Sequence, residues 1–318
     1  MKRVPEPENE RLDDAARAGW LYYIAGNTQD EIAKKLGISR QAAQRLVSLS
    51  ISKKLIKVRL DHSLANCMEL ANRLRQKYGL GFVDVVPSDP QSLSDTVGIA
   101  EAGAAMLEKA LDSQHPVIVA VGTGRALRAM AEQVSPMDCP QHKIVSLVGN
   151  IAPDGSATIF DAASRIGEQV RAPYYPMALP VIAQTVHERN LLVAQKSLRN
   201  IVELAEQANV TIVGIGTVDT EAALLRDGFV KPEEIRSLVR AGAVGEITGW
   251  AFDAEGTLIE GLTNDRVLSV PLSRAPVRTV IAIAMAAHRL KAIRGALAGK
   301  LVNGLITNET MASSLLQK

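Results

Sequence analysis

Two glycine-rich turns have residues that could bind an anion or a hydroxyl group. Residues 122–125 read GTGR and residues 214–217 read GIGT, and each turn follows a short apolar run. A glycine-rich turn at the start of a helix presents backbone N–H groups to a ligand. Thr123 adds a hydroxyl donor and Arg125 a fixed positive charge. Glycine at one such turn is often purely conformational, but two such turns in one sheet favour a ligand site.

A dinucleotide cofactor would need a longer glycine pattern than either turn has. Leu127 occupies the place of the third glycine, and the next apolar run ends in Gly149-Asn150 rather than in an acidic residue that could bind a ribose hydroxyl. We therefore expect no cofactor. Cys67 and Cys139 are far apart and the five histidines are scattered, so we expect two buried reduced thiols and no metal site.

Acid–base catalysis is the alternative use of a polar site in this chain. It would require a general acid and a general base placed on one substrate. Asp253, Glu246 and His288 are the candidates, but no short motif joins any two of them. An enzyme that uses acid–base catalysis therefore stays as the alternative to a binding protein without catalytic residues.

Residues 28–48 predict two short helices joined by a tight turn, the arrangement that places a helix in the DNA major groove. Thr28 and Glu31 form a capping box for the first helix. Gly37 supplies a left-handed turn residue, and Ser39 caps the second helix. The side chains expected to reach bases and phosphates are Ser39, Arg40, Gln41, Gln44, Arg45 and Lys57.

Positive charge is concentrated around this segment. Residues 1–60 contain 12 basic and 7 acidic residues, whereas the rest of the chain contains 24 and 27, so the net charge of +2 hides a basic module. Such a module suits DNA phosphates, and an ordinary basic surface hairpin of two helices is the structural alternative. Alternating apolar and basic residues over 55–60 predict a short basic wing beside the helix pair.

The elements that must position the two glycine-rich turns follow a regular order. Short apolar runs alternate with helical patterns, which predicts a doubly wound, mostly parallel α/β sheet covered on both faces. Ligands of such sheets bind at the carboxyl ends of the strands. The runs that predict strands are residues 82–86, 117–121, 144–148, 210–213, 277–284 and 301–307.

Two domains follow from these patterns. Residues 1–60 form a winged helix-turn-helix DNA-binding domain, and residues 61–318 an effector-binding and oligomerisation domain. Residues 1–14, which are polar and rich in Pro and Glu, are expected to form a mobile arm. The chain has 318 residues, of which 47% are hydrophobic, which is ample for a sizeable core. No apolar run could span a bilayer and the start lacks a signal-peptide core, so we expect a cytoplasmic protein.

Eight segments together resemble one family. In order along nearly the whole chain, they are similar to the SorC family of sugar-sensing bacterial transcriptional regulators, and most of all to regulators of sugar-alcohol use. The segments are TQDEIAKKLGISRQAAQRL (28–46), GTGRAL (122–127), SLVGN (146–150), GIGT (214–217), GAVGEITGWAFDAEG (242–256), TNDR (263–266), KAIRGAL (291–297) and GLITNETMA (304–312).

The resemblance implies a helix-turn-helix joined to a domain related to sugar-phosphate isomerases, in a homo-oligomer that is usually a tetramer. It implies that a sugar, often phosphorylated, binds the larger domain and changes its affinity for operator DNA without being turned over. The effector-binding residues expected on this basis are Gly122, Thr123, Gly124, Arg125, Asn150, Gly214, Gly216, Asp253, His288 and Lys291. Asp253 could instead only shape a turn before Gly256, and Lys291 could be a solvated lysine.

Two departures from the family pattern concern the effector. Ala287 and His288 stand where the family usually has paired glycines, and Asn308 stands where an Asp is common. A histidine side chain would fill or re-line space that glycine leaves to a ligand. The effector therefore stays open between a sugar phosphate and an unphosphorylated polyol. The alternative function is an enzyme resembling sugar-phosphate isomerases or deaminases that carries a DNA-binding module. A purely architectural DNA-binding protein is the third possibility, but it leaves the large α/β domain without a purpose.

Overall fold

The chain divides into two compact units, residues 1–62 and residues 63–318. The predicted boundary at residue 60 lies two residues earlier. The computed structural model describes residues 7–58, 64–89, 91–92, 94–152 and 154–317.

Helices account for most of the secondary structure in these described residues. They are α1 (Pro7–Tyr23), α2 (Gln29–Leu36), α3 (Arg40–Ser52), α4 (Ala65–Tyr78), α5 (Ile99–Leu111), α6 (Arg125–Gln133), α7 (Ala162–Val170), α8 (Val186–Val193), α9 (Lys196–Glu206), α10 (Ala223–Arg226), α11 (Pro232–Arg240), α12 (Leu290–Ala298) and α13 (Glu309–Leu316). The strands are β1 (Phe82–Val86), β2 (Ile118–Val121), β3 (Lys143–Ile151), β4 (Tyr174–Pro180), β5 (Val210–Val213), β6 (Gly216–Thr217), β7 (Gly245–Ile247), β8 (Trp250–Phe252), β9 (Thr279–Ile283) and β10 (Gly304–Asn308).

In the smaller unit, α2 and α3 are the two predicted helices and their caps are confirmed. The Glu31 N–H donates to Thr28 Oγ1 at 3.3 Å, and the Thr28 N–H donates back to Glu31 Oε2 at 2.7 Å. Gly37 has φ +67°, which ends α2, and Ser39 Oγ accepts the Ala42 N–H at 3.2 Å to begin α3. The core between the helices is built from Ala18, Ile32, Ala33, Ala43 and Val47.

Two expectations for this unit fail in the structure. The predicted mobile arm is wrong for residues 7–14, because they belong to α1, which packs on α3 and buries Ala15 and Ala18 completely. The predicted wing is not a strand within the described residues 53–58, which form turns and irregular backbone. No neighbouring strand pairs with them there, and alternation alone does not make a strand. Arg59 and Leu60 lie outside the described residues.

The larger unit is built on a seven-stranded parallel sheet in the order β1-β10-β9-β5-β2-β3-β4. The six predicted strands are confirmed within a few residues, as is the parallel α/β class. Strand β4 was not predicted, because Pro176 and Pro180 interrupt its pattern. Proline is tolerated at a sheet edge, which is where β4 lies. Helices α8 and α11 and the small antiparallel sheet β6-β7-β8 were also missed.

The chain leaves the middle of this sheet in opposite directions. After β2 it moves outward through β3 to β4, and after β5 it moves the other way through β9 to β10. Because such crossovers are right-handed, α6 and α7 cover one face and α9 and α12 the other. A crevice therefore opens where the carboxyl ends of β2 and β5 meet. The Gly122 N–H donates to the Ile212 carbonyl at 2.8 Å and holds the two ends together.

Close glycine contacts seat the small antiparallel sheet against α12. A Cβ on Gly256, where φ is +71°, would lie 2.5 Å from the Gly299 Cα. A Cβ on Gly295 would lie 2.8 Å from the Asp253 carbonyl oxygen. The Asp253 carboxylate accepts the backbone N–H of Thr257 at 2.7 Å and so fixes the turn that carries Gly256. These contacts account for glycines in two of the family segments.

Both cysteines are buried free thiols, as expected, and burial raises the pKa of Cys67 to about 11. Within the described part of the chain, no helix has the length and apolar character needed to cross a membrane.

Replacing Gly256 with Ala tests the close contact with α12. Gly261 is the matched control, since its φ of +69° is nearly that of Gly256 but its added Cβ would meet nothing closer than 4.0 Å. Gly261→Ala should cost only the left-handed backbone strain, about 1–2 kcal/mol. Gly256→Ala should cost about 1–3 kcal/mol more, because the backbone of α12 must move. Urea denaturation of the two variants measures the difference, and equal losses would contradict the contact.

Candidate functional site

A cavity of about 100 Å³ lies at the carboxyl ends of β2 and β5. It has room for several water-sized groups. Its wall is formed by the two glycine-rich turns, the ends of β3 and β4, a loop after β3, residues after β9, and the turn between β7 and β8. Residues 123–127, 148, 149, 158, 160, 214–216, 246, 248 and 249 belong to this wall.

The turn after β2 offers backbone donors at the start of α6. Gly124 has φ +123° and supplies no side-chain cap to the helix. Thr123 Oγ1 donates to the Phe160 carbonyl at 2.9 Å. The Arg125 guanidinium stacks 5.2 Å from the centre of the Phe160 ring, and its Nη2 lies 3.7 Å from Asp227 Oδ1. The turn therefore holds residues 158–160 against the cavity as well as lining it.

Glu246 brings a carboxylate into the wall from the small sheet. It pairs with Gly216 across β6 and β7, and a Cβ on Gly216 would overlap Glu246 Oε1, so a larger residue there would displace the carboxylate. Glu246 Oε2 accepts the Gly249 N–H at 2.8 Å. Burial raises the pKa of Glu246, against the smaller effects of that hydrogen bond and of Arg289. The Glu246 residue is half-buried, and it lines the cavity.

Three buried oxygens have no hydrogen-bond partner in the described residues. They are Thr248 Oγ1, Asn150 Oδ1 and Thr307 Oγ1. Thr248 belongs to the cavity wall, and Asn150 follows Gly149 of the wall. A buried polar atom without a partner costs free energy. A ligand or a water molecule at the cavity is therefore the natural partner for Thr248 Oγ1.

Five of the predicted effector-binding residues line the cavity. They are Thr123, Gly124, Arg125, Gly214 and Gly216. Gly122 lies directly before the wall, in the pairing between β2 and β5. Asn150 lies behind it, where its Nδ2 donates to Asp161 Oδ2 at 3.4 Å and Tyr174 donates to the same oxygen at 2.7 Å.

The other three predicted residues do not lie in the wall. The Asp253 carboxylate accepts the Glu255 and Thr257 N–H groups, which is the turn-shaping role given above as its alternative. His288 and Lys291 are exposed, in a 3-10 turn and in the first turn of α12. Contact of these three residues with an effector stays a prediction. Of the acid–base candidates, only Glu246 lines the cavity.

Several wall residues were not identified from the sequence. Phe160, Asp227, Thr248 and Arg289 reach the cavity from four separate segments. Arg289 follows His288 directly, and its Nη2 lies 3.0 Å from Asp95 Oδ2. No spacing in the sequence links these residues, because the sheet order alone brings their segments together.

The residues predicted to contact DNA are exposed on the smaller unit. Arg40, Gln41, Gln44 and Arg45 project from the first two turns of α3, and Lys57 lies in the irregular segment after it. Arg40 Nε lies 3.5 Å from Asp30 Oδ1, and both side chains are more than half exposed. An exposed pair of this kind is weak and leaves Arg40 able to exchange Asp30 for a phosphate.

Comparison with known proteins gives a consistent result. A family model described as "Putative sugar-binding domain" matches residues 62–317. The chain is 31% identical over 302 residues to the erythritol catabolism regulatory protein EryD of Brucella abortus, covering 95% of this chain and 96% of that protein. It is 30% identical to the transcriptional regulator LsrR of Klebsiella pneumoniae, with 95% and 92% covered.

Among solved structures, the full-length sorbitol operon regulator SorC of Klebsiella pneumoniae has a TM-score of 0.70 to this chain. The alignment covers 97% of this chain and 100% of that protein, and at 23% identity it shows a shared fold. With the family model spanning the larger unit and relatives matched from end to end, the chain belongs to the SorC family of sugar-sensing transcriptional regulators.

Proposed function

We propose that the smaller unit binds operator DNA and that a small sugar, sugar phosphate or polyol in the cavity changes that affinity. The observation that carries this proposal is the cavity itself. It lies where β2 and β5 meet, and its wall holds uncapped helix N–H groups, an isolated carboxylate and a partnerless hydroxyl. These groups match the hydroxyl and anionic oxygens of carbohydrates.

The target genes would be those of carbohydrate or sugar-alcohol use. The name of the Brucella relative ties that protein to erythritol catabolism, and its similarity to this chain extends through both units. A regulator must also reach chromosomal DNA, which supports a cytoplasmic location.

The exposed start of α3 is the part of the smaller unit that we place in the major groove. Ser39 caps this helix with its hydroxyl, so its side chain fixes the helix start that would face the DNA. Arg40, Gln41, Gln44 and Arg45 would read bases and phosphates. Lys57 would add a phosphate contact beyond the helix.

The operator DNA is first selected from random duplexes by the wild-type protein. Gln44→Ala should weaken binding to this operator by about 1–3 kcal/mol and leave binding to random DNA nearly unaffected.

Lys57→Ala should weaken binding to all DNA sequences and lower the salt dependence of binding, because it removes a phosphate contact. Gln91→Ala is the control, an exposed glutamine in the larger unit. Fluorescence anisotropy at several salt concentrations measures all three. Unchanged specific affinity in the Gln44 variant would remove it from the reading surface.

We place the protein on paired half-sites as a homo-oligomer, most simply a tetramer made of two dimers. One helix pair of this size covers few base pairs, and a symmetric partner doubles the site. Light scattering at micromolar concentration should give a mass of at least twice 34.1 kDa, and most simply four times that value. A monomer, both free and bound to operator DNA, would contradict this assembly.

An enzyme is the second candidate, because Glu246 in the wall could act as an acid or a base. We favour binding without turnover, since His288 and Asp253, the other two candidates, lie outside the wall. A screen of sugars, polyols and their phosphates identifies compounds that raise the melting temperature of the protein. Tests on these compounds distinguish the two functions. An effector should remain unchanged by NMR after prolonged incubation and should change operator affinity, whereas its consumption would favour the enzyme.

Thr123→Val should reduce the response of operator affinity to an effector by about tenfold or more while leaving ligand-free DNA binding near the wild-type value. The valine keeps the volume but removes the hydroxyl that holds Phe160 across the cavity. Thr220→Val, at an exposed position of the same unit, is the control and should respond normally. A full response in the Thr123 variant would contradict its role. A lost response in Lys291→Ala would extend the site to the exposed start of α12.

A further inference from the structure

Both cations in the described cavity wall already face a carboxylate. Arg125 lies 3.7 Å from Asp227, and Arg289 lies 3.0 Å from Asp95. The Arg289 side chain is only 16% exposed, so its pair with Asp95 is screened little by solvent. A phosphate could engage either arginine only by competing with a carboxylate that the protein itself supplies.

Glu246 is the second carboxylate in this wall, beside Asp227, whereas Asp95, the partner of Arg289, is not part of the wall. Among the described residues, no ion pair within 4.0 Å joins it to a cation, and its one hydrogen bond comes from the Gly249 N–H. The wall therefore holds two arginines and two carboxylates, and Arg289 already faces a further carboxylate outside the wall. A phosphate monoester would bring about 1.5–2 further negative charges at neutral pH. Repulsion between like charges is stronger in a partly enclosed site than in water.

Among the described residues, the remaining donors of the wall include no cation without a carboxylate partner. The N–H groups at the start of α6 favour an anion through the helix dipole, but they also donate to a hydroxyl oxygen. Lys291, the lysine among the predicted effector-binding residues, is exposed and outside the wall. The Glu246 carboxylate, by contrast, can accept further hydrogen bonds, and the Thr248 hydroxyl has no hydrogen-bond partner. The hydroxyl groups of an uncharged sugar or polyol can supply both.

We propose that the cavity selects an uncharged polyhydroxy compound, a sugar or sugar alcohol without phosphate, and that Glu246 accepts hydrogen bonds from its hydroxyl groups. This inference rests on the proposed function and names the ligand class of its site. Glu246 and Asp227 then exclude phosphate esters of the ligand. Glu246 repels the phosphate by its negative charge, and Asp227 forms an ion pair with Arg125 that a phosphate would have to break.

Calorimetric titration of the full-length protein with matched pairs tests the proposal. Erythritol, ribitol and sorbitol, with four, five and six carbons, are each compared with their terminal phosphate monoesters, and inorganic phosphate is titrated alone. In at least one pair the uncharged member should bind at least about tenfold tighter than its phosphate, and inorganic phosphate should not bind.

Two variants should change the affinity for the polyol and the affinity for its phosphate differently. Glu246→Gln keeps the acceptor for Gly249 but removes the charge, so it should weaken the polyol about tenfold and strengthen its phosphate. Asp227→Asn should strengthen the phosphate alone, because it frees Arg125. Glu255→Gln is the control, an exposed residue of the turn after β8 that should change neither affinity. A merely structural loss at Glu246 would weaken both ligands together.

Tighter binding of the phosphate member in wild type, or binding of inorganic phosphate, would overturn the proposal while leaving the regulatory function intact. Equal losses for both ligands in Glu246→Gln would also overturn it. If no uncharged compound binds but a phosphate ester changes operator affinity, the ligand class is wrong and the regulator stands. If neither class binds or changes operator affinity, the proposed function fails as well.

Discussion

The parallel pairing of β2 with β5 is the contact on which the site depends. Each strand is followed by a glycine-rich turn, and the chain then leaves in opposite directions. Only this adjacency brings residues 123–125 and residues 214–216 to one cavity, although about 90 residues of chain separate them. The hydrogen bond from Gly122 to Ile212 closes the pair at its carboxyl end. A crevice is left there because the covering helices diverge.

Glycines serve two purposes around this crevice. Some allow a neighbouring group to pack closely. Gly216 leaves room for the Glu246 carboxylate, and Gly256 lets its turn pack against Gly299 at the end of α12. Others leave backbone N–H groups open to a ligand, as Gly124 does at the start of α6. The family segments therefore mix residues that build the wall with residues that face the cavity. Asp253 belongs to the first kind, since its carboxylate is occupied by its own turn.

The contacts around Thr123 suggest how ligand binding reaches the rest of the unit. Its hydroxyl and the Arg125 stacking hold Phe160, while Arg128 donates to the Ile159 carbonyl at 2.7 Å. A ligand hydroxyl that competes for Thr123 would change the support of this loop. An effector can shift an equilibrium only by binding two states unequally. We propose that the loop at residues 158–160, which Thr123 and Arg125 of the wall hold, provides such a difference.

The amino-acid sequence by itself determined the local structure. Caps at Thr28 and Ser39, the left-handed Gly37 and the apolar runs fix helices and strands through contacts between near neighbours, so these elements and the parallel α/β class were predictable. Five of the ten effector-binding residues predicted from the family resemblance line the cavity. The strand order, the small sheet that carries Glu246, and the ion pairs of Arg125 and Arg289 came only from the tertiary structure. They depend on segments far apart in the chain, whose pairing is set by the packing of the whole sheet and leaves no periodic signal.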